Sequence, residues 1–403
     1  MKNLKKTAVK SLVNRFLILS FLIALVGSVS AATYVLFLKS KGLDLLQVNI
    51  INAFFMATII LMEMPTGSFA DKFGRHRSIT VSFFLFTIAL VTYYFADSFW
   101  LFILSEVIAG LALTFSSGAL EAWLVDSLKF HGLVHLKFKL FRKEAYFVSA
   151  GLVIGSLSGS YLGDYDLSWP WILGAISSLL AGIYSLSIKE DYHEAGTKRV
   201  KTGLIKQIKI ASQHGFNNRH IVIFMFLGAI FNLSIQALNM QWTLVFQNVY
   251  QVETKYLGWI FVATAIIISL GSTLSKYSLK YIKDEKKSLA ITQILTAIFI
   301  IILALSSNLI MALSFFFLHE LTRSFFGPIK KNFLNDHIQS ETRATVLSLD
   351  SMMAKVGSLI GLISSGWIAN NYSIKTAWLA SGIFLLVVLL VFLIAKPKNK
   401  NGL

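Results

Sequence analysis

The sequence predicts an all-α membrane protein: twelve transmembrane helices in two pseudo-symmetric six-helix bundles. Three observations carry this. Of 403 residues, 55% are hydrophobic and 14% charged, whereas soluble domains average about a quarter charged. The mean hydropathy is +0.67. Apolar runs of roughly 20 residues, enough to cross a hydrocarbon core of about 30 Å, recur along the chain. With only four prolines, each run is expected to be a continuous helix.

The first run, Phe16–Leu38, follows a basic N-terminus (Lys2, Lys5, Lys6, Lys10, Arg15) and lacks a small-residue cleavage site. It therefore reads as a retained first helix. Val48–Ala70, Ser78–Phe95, Phe99–Leu128, Ala145–Gly163 and Pro170–Ile188 complete the first set. A polar stretch from Lys189 to His220 carries Lys198, Arg199, Lys201, Lys206, Lys209 and Arg219. It sets expected boundaries of 1–188, a cytoplasmic linker 189–219, and 220–403. The second set runs Ile221–Phe246, Leu257–Leu279, Ser288–Ser306, Leu309–Leu334, Ala344–Ala369 and Thr376–Ala395.

The net charge of +17 is explained by placement. With the N-terminus inside, 31 of the 37 Lys and Arg fall on the inner side. Four fall outside (Lys39, Lys41, Lys255, Lys375) and two deep in helices (Arg323, Lys355). Basic loops prefer the cytoplasm, so both termini are expected there. The excess suits anionic lipid, and no nucleic-acid partner is needed. The absence of cysteine excludes disulfides, thiolate metal sites and cysteine nucleophiles.

An internal repeat accompanies the two sets. Gly67-Ser68 is matched by Gly271-Ser272 at an offset of 204 residues, and Gly151 and Gly155 by Gly357 and Gly361 at 206. Gly159 and Gly163 continue the stripe in the fifth helix. Such spacing lets a second backbone approach closely. The stripes are expected either to pack tightly or to meet partners across the two halves and slide during a cycle.

The loop after the second helix reads Gly67-Ser68-Phe69-Ala70-Asp71-Lys72-Phe73-Gly74-Arg75-His76-Arg77. Gly74 suits a positive-φ turn between helices, and Gly67 a close helix contact. Asp71 and Arg75, at a membrane edge, suit ion pairs stronger than in water. Asp126, at the end of the fourth helix, is the candidate partner for Arg75. The loop resembles the signature of the major facilitator superfamily, with Gly67, Asp71, Lys72, Gly74 and Arg75 in place and His76 departing, followed by Arg77. The stretches Ser117–Leu128 and Arg343–Ser348 are similar to its bacterial drug-efflux branch. The resemblance implies the twelve-helix fold, transport by alternating access, a latch at this loop, a monomer, and a bacterial cell (inner) membrane. Two departures weigh against drug–proton exchange: the fifth helix lacks a Gly-Pro pair, and the first lacks an embedded acid.

Polar side chains inside a bilayer should face a cavity or a partner. The seventh helix aligns Asn232, Gln236 and Asn239; the fourth aligns Glu106, Gly110, Thr114, Ser117 and Glu121. The first carries Gly27, Ser30 and Tyr34, and the tenth Glu320, Arg323, Ser324 and Gly327. Helices 3, 6, 9 and 12 are more evenly apolar, as lipid-facing spans should be. The resemblance likewise puts helices 1, 4, 7 and 10 around a central cavity. Glu320 and Lys355 lie near mid-membrane, with Asp350 closer to the inner side. Burial favours a neutral carboxyl and a nearby cation favours a carboxylate. Glu320, beside Arg323 or Lys355, is thus expected either to exchange a proton or to form a static ion pair; Glu106 is the second proton candidate.

Other functions find little support. His319-Glu320-Leu321-Thr322-Arg323 lacks the second histidine of a zinc-protease helix. No Gly-rich phosphate loop supports ATP-driven transport, and no enzyme or cofactor is expected. What remains is a secondary transporter of a small molecule, most simply proton-coupled export of amphipathic compounds. The alternatives are a narrow-specificity metabolite or organic-anion carrier, or a transport-inactive receptor.

Overall fold

The computed structural model describes residues 2–188, 190, 219–338 and 343–394. Most of the basic connector lies outside them, as do the side chains of Lys2, Lys5, Lys6, Arg219 and Arg343. The described helices of the first half are α1 (Lys2–Val29), α2 (Tyr34–Ser40), α3 (Leu45–Phe73), α4 (Arg75–Phe95), α5 (Phe99–Ser116), α6 (Ala119–Phe130), α7 (Lys137–Tyr165) and α8 (Trp169–Ser185). After the connector come α9 (Arg219–Asn248), α10 (Thr254–Ile282), α11 (Glu285–Ala304), α12 (Leu309–Arg323), α13 (Phe326–His337), α14 (Arg343–Asn371) and α15 (Ile374–Ile394). Among the described residues no strand occurs. Among the described residues eleven helical stretches are long and apolar enough to cross a membrane, and the shorter apolar α8 stands beside them. This agrees with the twelve runs read from the sequence.

Three of those runs are not continuous. The first is interrupted at 30–33 between α1 and α2, the fourth at Ser117-Gly118 and the tenth at Ser324-Phe325. The local reasons differ. Gly118 takes φ +68, a left-handed conformation that ends a helix cheaply only at glycine. Pro328 has no N–H and its ring would clash with the carbonyl four residues back, so it sits in the first turn of α13. At 30–33 the backbone tightens instead, with the Ala31 amide bonded to Ser28 and that of Thr33 to Ser30.

An interrupted helix leaves carbonyls without partners, and in a membrane the protein must supply donors. At the fourth span neighbouring hydroxyls do so. Ser78 donates to the Phe115 carbonyl at 2.6 Å, Ser82 to Ala112 at 2.7 Å and Thr66 to Thr114 at 3.2 Å. The end of α5 is thereby tied to α3 and α4.

The chain divides into two compact units, Met1–Lys201 with Gln251–Val262, and Thr202–Tyr250 with Ala263–Leu403. The first has a core around Phe16, Ile79, Phe83, Trp123 and Leu124. The second is built around Phe224, Met225, Ile329 and Phe333, with the rings of Phe224 and Phe333 stacked at 3.7 Å.

Within each unit the closest helix approach follows the glycine stripes. A methyl added at Gly151, Gly155 or Gly159 of α7 would overlap backbone of α1 at Phe21, Leu25 or Val29. At Gly357 and Gly361 of α14 it would overlap the carbonyls of Ala229 and Leu233 of α9. Of the two expectations for the stripes, these contacts are tight packing inside each unit, and none of these glycines presses on the other unit. The small residues let the two backbones approach this closely.

Candidate functional site

The loop joining α3 to α4 is a single residue. Gly74 has φ +102 and ψ 146, a region open in practice only to glycine. The turn aims the first amides of α4 at a carboxylate: the His76 N–H donates to Glu190 Oε1 at 2.8 Å, and His76 Nδ1 lies 3.2 Å from Glu190 Oε2. A helix N-terminus favours such an anion. Glu190, just beyond the sixth span, is a partner the sequence reading did not find. Its only signal was that it is the first acid after that span.

Arg75 Nη2 stands 3.1 Å from Asp126 Oδ2, and Lys129 Nζ is 3.8 Å from the other oxygen. The pair sits on a cleft of about 450 Å³, lined also by Glu121 and Lys137. Asp71, Lys72 and Arg77 are exposed, and the Lys72 ammonium lies 4.9 Å from the Phe73 ring centre. Gly67 is exposed with nothing within 4 Å of a Cβ built on it. The expected close contact there is not made, because α3 presents that face outward.

The polar stripe of the fourth span splits at its interruption. Glu106, Gly110 and Thr114 are buried, with Gly110 against Phe55 and Thr58 of α3. Ser117 and Glu121, beyond it, are exposed. Glu106 Oε1 accepts hydrogen bonds from the Tyr34 and Tyr93 hydroxyls, each at 2.6 Å. The Tyr93 ring stacks on Trp171 at 4.0 Å and 10°. Tyr34, expected to line a cavity, is half-buried and its hydroxyl holds Glu106. Of its companions, Gly27 is exposed and Ser30 half-buried. Tyr93 and Trp171 were missed, since nothing in a run of aromatic residues marks which will meet a distant acid.

In the second unit, Arg323 ties α12 to α9. Its Nε lies 2.9 Å from Glu320 Oε2, and Nη1 donates to Asn239 Oδ1 at 2.6 Å. Glu320 is 3% exposed, so the guanidinium offsets a charge that water barely reaches. His319 is fully buried beside it, Nδ1 3.6 Å from Glu320 Oε1, with no hydrogen-bond partner for either ring nitrogen among the described residues. Along α9, Asn232 turns back to the Gly228 carbonyl at 2.8 Å, Gln236 is buried and Asn239 is exposed.

Asp350 was grouped with Glu320, but its ion-pair partner is Lys330 Nζ at 2.5 Å. Lys330 was counted as an inner-end cation, yet it is 6% exposed and lies against Gly228. The interruption at Ser324-Phe325 makes α13 a separate helix and brings Lys330 inward. Of the two cations offered for Glu320, the pair is made with Arg323; Lys355 is half-buried on α14.

Comparison with known proteins gives one family. The Major Facilitator Superfamily family model matches residues 16–284 and 256–403. The uncharacterized MFS-type transporter YxaM of Bacillus subtilis (strain 168) is 24% identical over 384 residues, 92% of each chain. The multidrug resistance protein MdtH of Yersinia enterocolitica is 21% identical over 309 residues, 76% of this chain and 73% of that protein. The crystal structure of nucleoside transporter NupG superposes with a TM-score of 0.82 at 16% identity, over 95% of this chain and 98% of that one.

Proposed function

Because this chain belongs to the Major Facilitator Superfamily and is a transporter, we propose that it exports amphipathic small molecules across a bacterial cell membrane by alternating access, in exchange for protons. The observation that carries this reading is the Asn239–Arg323–Glu320 chain. It joins the two polar-striped spans of the second unit through a buried carboxylate whose guanidinium partner is also held by a neighbouring helix. A movement of α9 relative to α12 pulls on Arg323. Glu320 then loses its counter-charge and takes a proton. Similarity to the multidrug resistance protein MdtH supports export.

In this reading the bundles are 1–188 and 220–403, with 189–219 as a cytoplasmic linker and both termini inside. Arg75, Asp126, Gly74 and His76 form the latch. The competing reading, an organic-anion carrier, needs a free cation in the cavity. Arg323 is engaged on two sides, which argues against it.

The test is ethidium accumulation in efflux-deficient bacteria expressing the chain, with and without a protonophore. The expected result is lowered accumulation that the protonophore abolishes and Glu320→Gln prevents. Unchanged accumulation, with the protein present in the membrane, overturns drug export and turns attention to a metabolite carrier. Lowered accumulation that survives the protonophore overturns proton exchange alone.

A further inference from the structure

Beside the Arg75–Asp126 pair, the α3–α4 turn carries a second and separate tie. Its two sides are His76, the position at which the loop departs from the superfamily signature, and Glu190, the first acid after the sixth span. The carboxylate is held twice. The His76 backbone N–H donates to Oε1 at 2.8 Å, and ring atom Nδ1 faces Oε2 at 3.2 Å. Both Nδ1 and Oε2 are closed off from water, and the Glu190 side chain is 1% exposed. Ring and carboxylate close together over Gly74, where an added Cβ would lie 3.0 Å from Nδ1 and 2.7 Å from Oε2. The glycine is what lets them meet.

The two bonds respond differently to pH. The amide arm is a backbone N–H at a helix N-terminus and donates whatever the pH. The ring arm depends on a proton that histidine ordinarily gains or loses between about pH 5 and 8. With that proton on, an imidazolium meets a carboxylate, a charge-assisted bond about twice as strong as a neutral one. With it off, the ring offers at best one neutral N–H. The other charged groups at this end of α4 are engaged elsewhere or face outward. Arg75, on α4 itself, is held by Asp126 of α6, with Lys129 on the same carboxylate. Arg77 is exposed, as are Asp71 and Lys72 of α3 and His131 just past α6. To this end α8 brings Tyr184, and α5 brings no titratable group. Lys189 lies outside the described residues.

We propose that His76 makes the tie between the α3–α4 turn and the start of the connector a pH sensor, which acid tightens and alkali loosens. The sign follows from the charges. At the acid end the pair is a cation and a carboxylate, and both arms hold. At the alkaline end the amide arm alone keeps its strength, and Glu190 is held by one strong bond. Arg75 is the residue next to His76, so the state of the tie reaches the Arg75–Asp126 pair. In the topology proposed above this face is cytoplasmic, and internal acid then holds the turn and slows its movement. That sense is a brake suited to a protein that admits protons. The sensor goes beyond the export reading, because it requires no particular solute; only its cytoplasmic placement and its use as a brake rest on that reading.

The experiment is hydrogen exchange read by mass spectrometry on the purified full chain in lipid nanodiscs, from about pH 5 to about pH 8. Exchange times are scaled to the intrinsic rate at each pH, and no solute is present. The peptide containing Arg75–Arg77 includes the His76 amide that bonds Glu190. Its protection is expected to fall about fivefold across the range, the difference between a charged and a neutral hydrogen bond. His76→Arg, a permanent cation, should keep high protection at every pH. His76→Gln and Glu190→Gln should show low protection at every pH. The start of α11, where Asp284 caps the amides of Lys286 and Lys287 without a histidine, should stay flat and reports that each variant is folded. A parent profile flat within about twofold overturns the sensor. So does a step that persists in His76→Arg, or one that α11 shares. A step that survives Glu190→Gln overturns Glu190 as the partner. Failure of ethidium export would leave all of these expectations standing, so the two readings fail separately.

Discussion

Replacing Gly74 with alanine tests the turn on which the α3–α4 loop is built. At φ +102 and ψ 146 a side chain adds about 1–3 kcal/mol of backbone strain. The new Cβ would also stand 2.7 Å from Glu190 Oε2 and 3.0 Å from His76 Nδ1. To restore ordinary contact the carboxylate must retreat by about 0.7 Å. That stretches its 2.8 Å bond from the His76 amide to the limit of hydrogen bonding. A hydrogen bond to a charged group is worth about 1.5–3 kcal/mol. Strain and lost bond together come to about 2.5–6 kcal/mol. Hydrogen exchange read by mass spectrometry on the peptide containing Arg75–Arg77 should show protection falling roughly 50-fold or more. Glu190→Gln, which keeps the backbone and weakens only the bond, should lose about tenfold. Protection within threefold of the parent in Gly74→Ala would refute the strain and the carboxylate clamp together.

Three further outcomes follow from the packing and the ion pairs. Gly159→Ala and Gly357→Ala should each cost about 1–3 kcal/mol in detergent melting curves, while Gly27→Ala, with open space around it, should not move the curve. Equal melting of all three would remove the backbone contact as a source of stability. Arg323→Gln leaves Glu320 buried without its cation and should cost about 3–5 kcal/mol. Adding Glu320→Gln should recover most of that, whereas additive losses in the same melts would show that the two do not act as a pair. Asp126→Asn breaks a part-exposed pair worth about 1 kcal/mol or less, so melting should change little while solute flux in proteoliposomes falls. A large loss of stability with normal flux would make the pair structural.

The candidate site was legible where its meaning is local. Gly74 declared its positive φ because no other residue tolerates that turn, and Arg75 and Asp126 stood at matching helix ends where one neighbour suffices. The pairs Glu320–Arg323 and Asn239–Arg323 were half legible: i, i+3 spacing places the first, but which helix supplies Asn239 depends on packing. Glu106 with Tyr34 and Tyr93, Asp350 with Lys330, and His76 with Glu190 were not legible. Each joins residues far apart in the chain, and a sequence full of aromatic and basic residues does not say which will meet.

The sequence by itself determined the number of spans, their apolar character and the division into two halves. These follow from one-dimensional quantities: run length against bilayer thickness, and charge against the cost of burying it. Only the tertiary structure decided where the first, fourth and tenth spans break, which backbone the glycine stripes press against, and which partner answers each buried carboxylate. Those are properties of neighbours. At the break in the fourth span another helix brings a hydroxyl to the exposed carbonyl, as Ser78 does for Phe115. A carboxylate can remain in the membrane only where packing delivers a guanidinium, an ammonium or a pair of phenols to it.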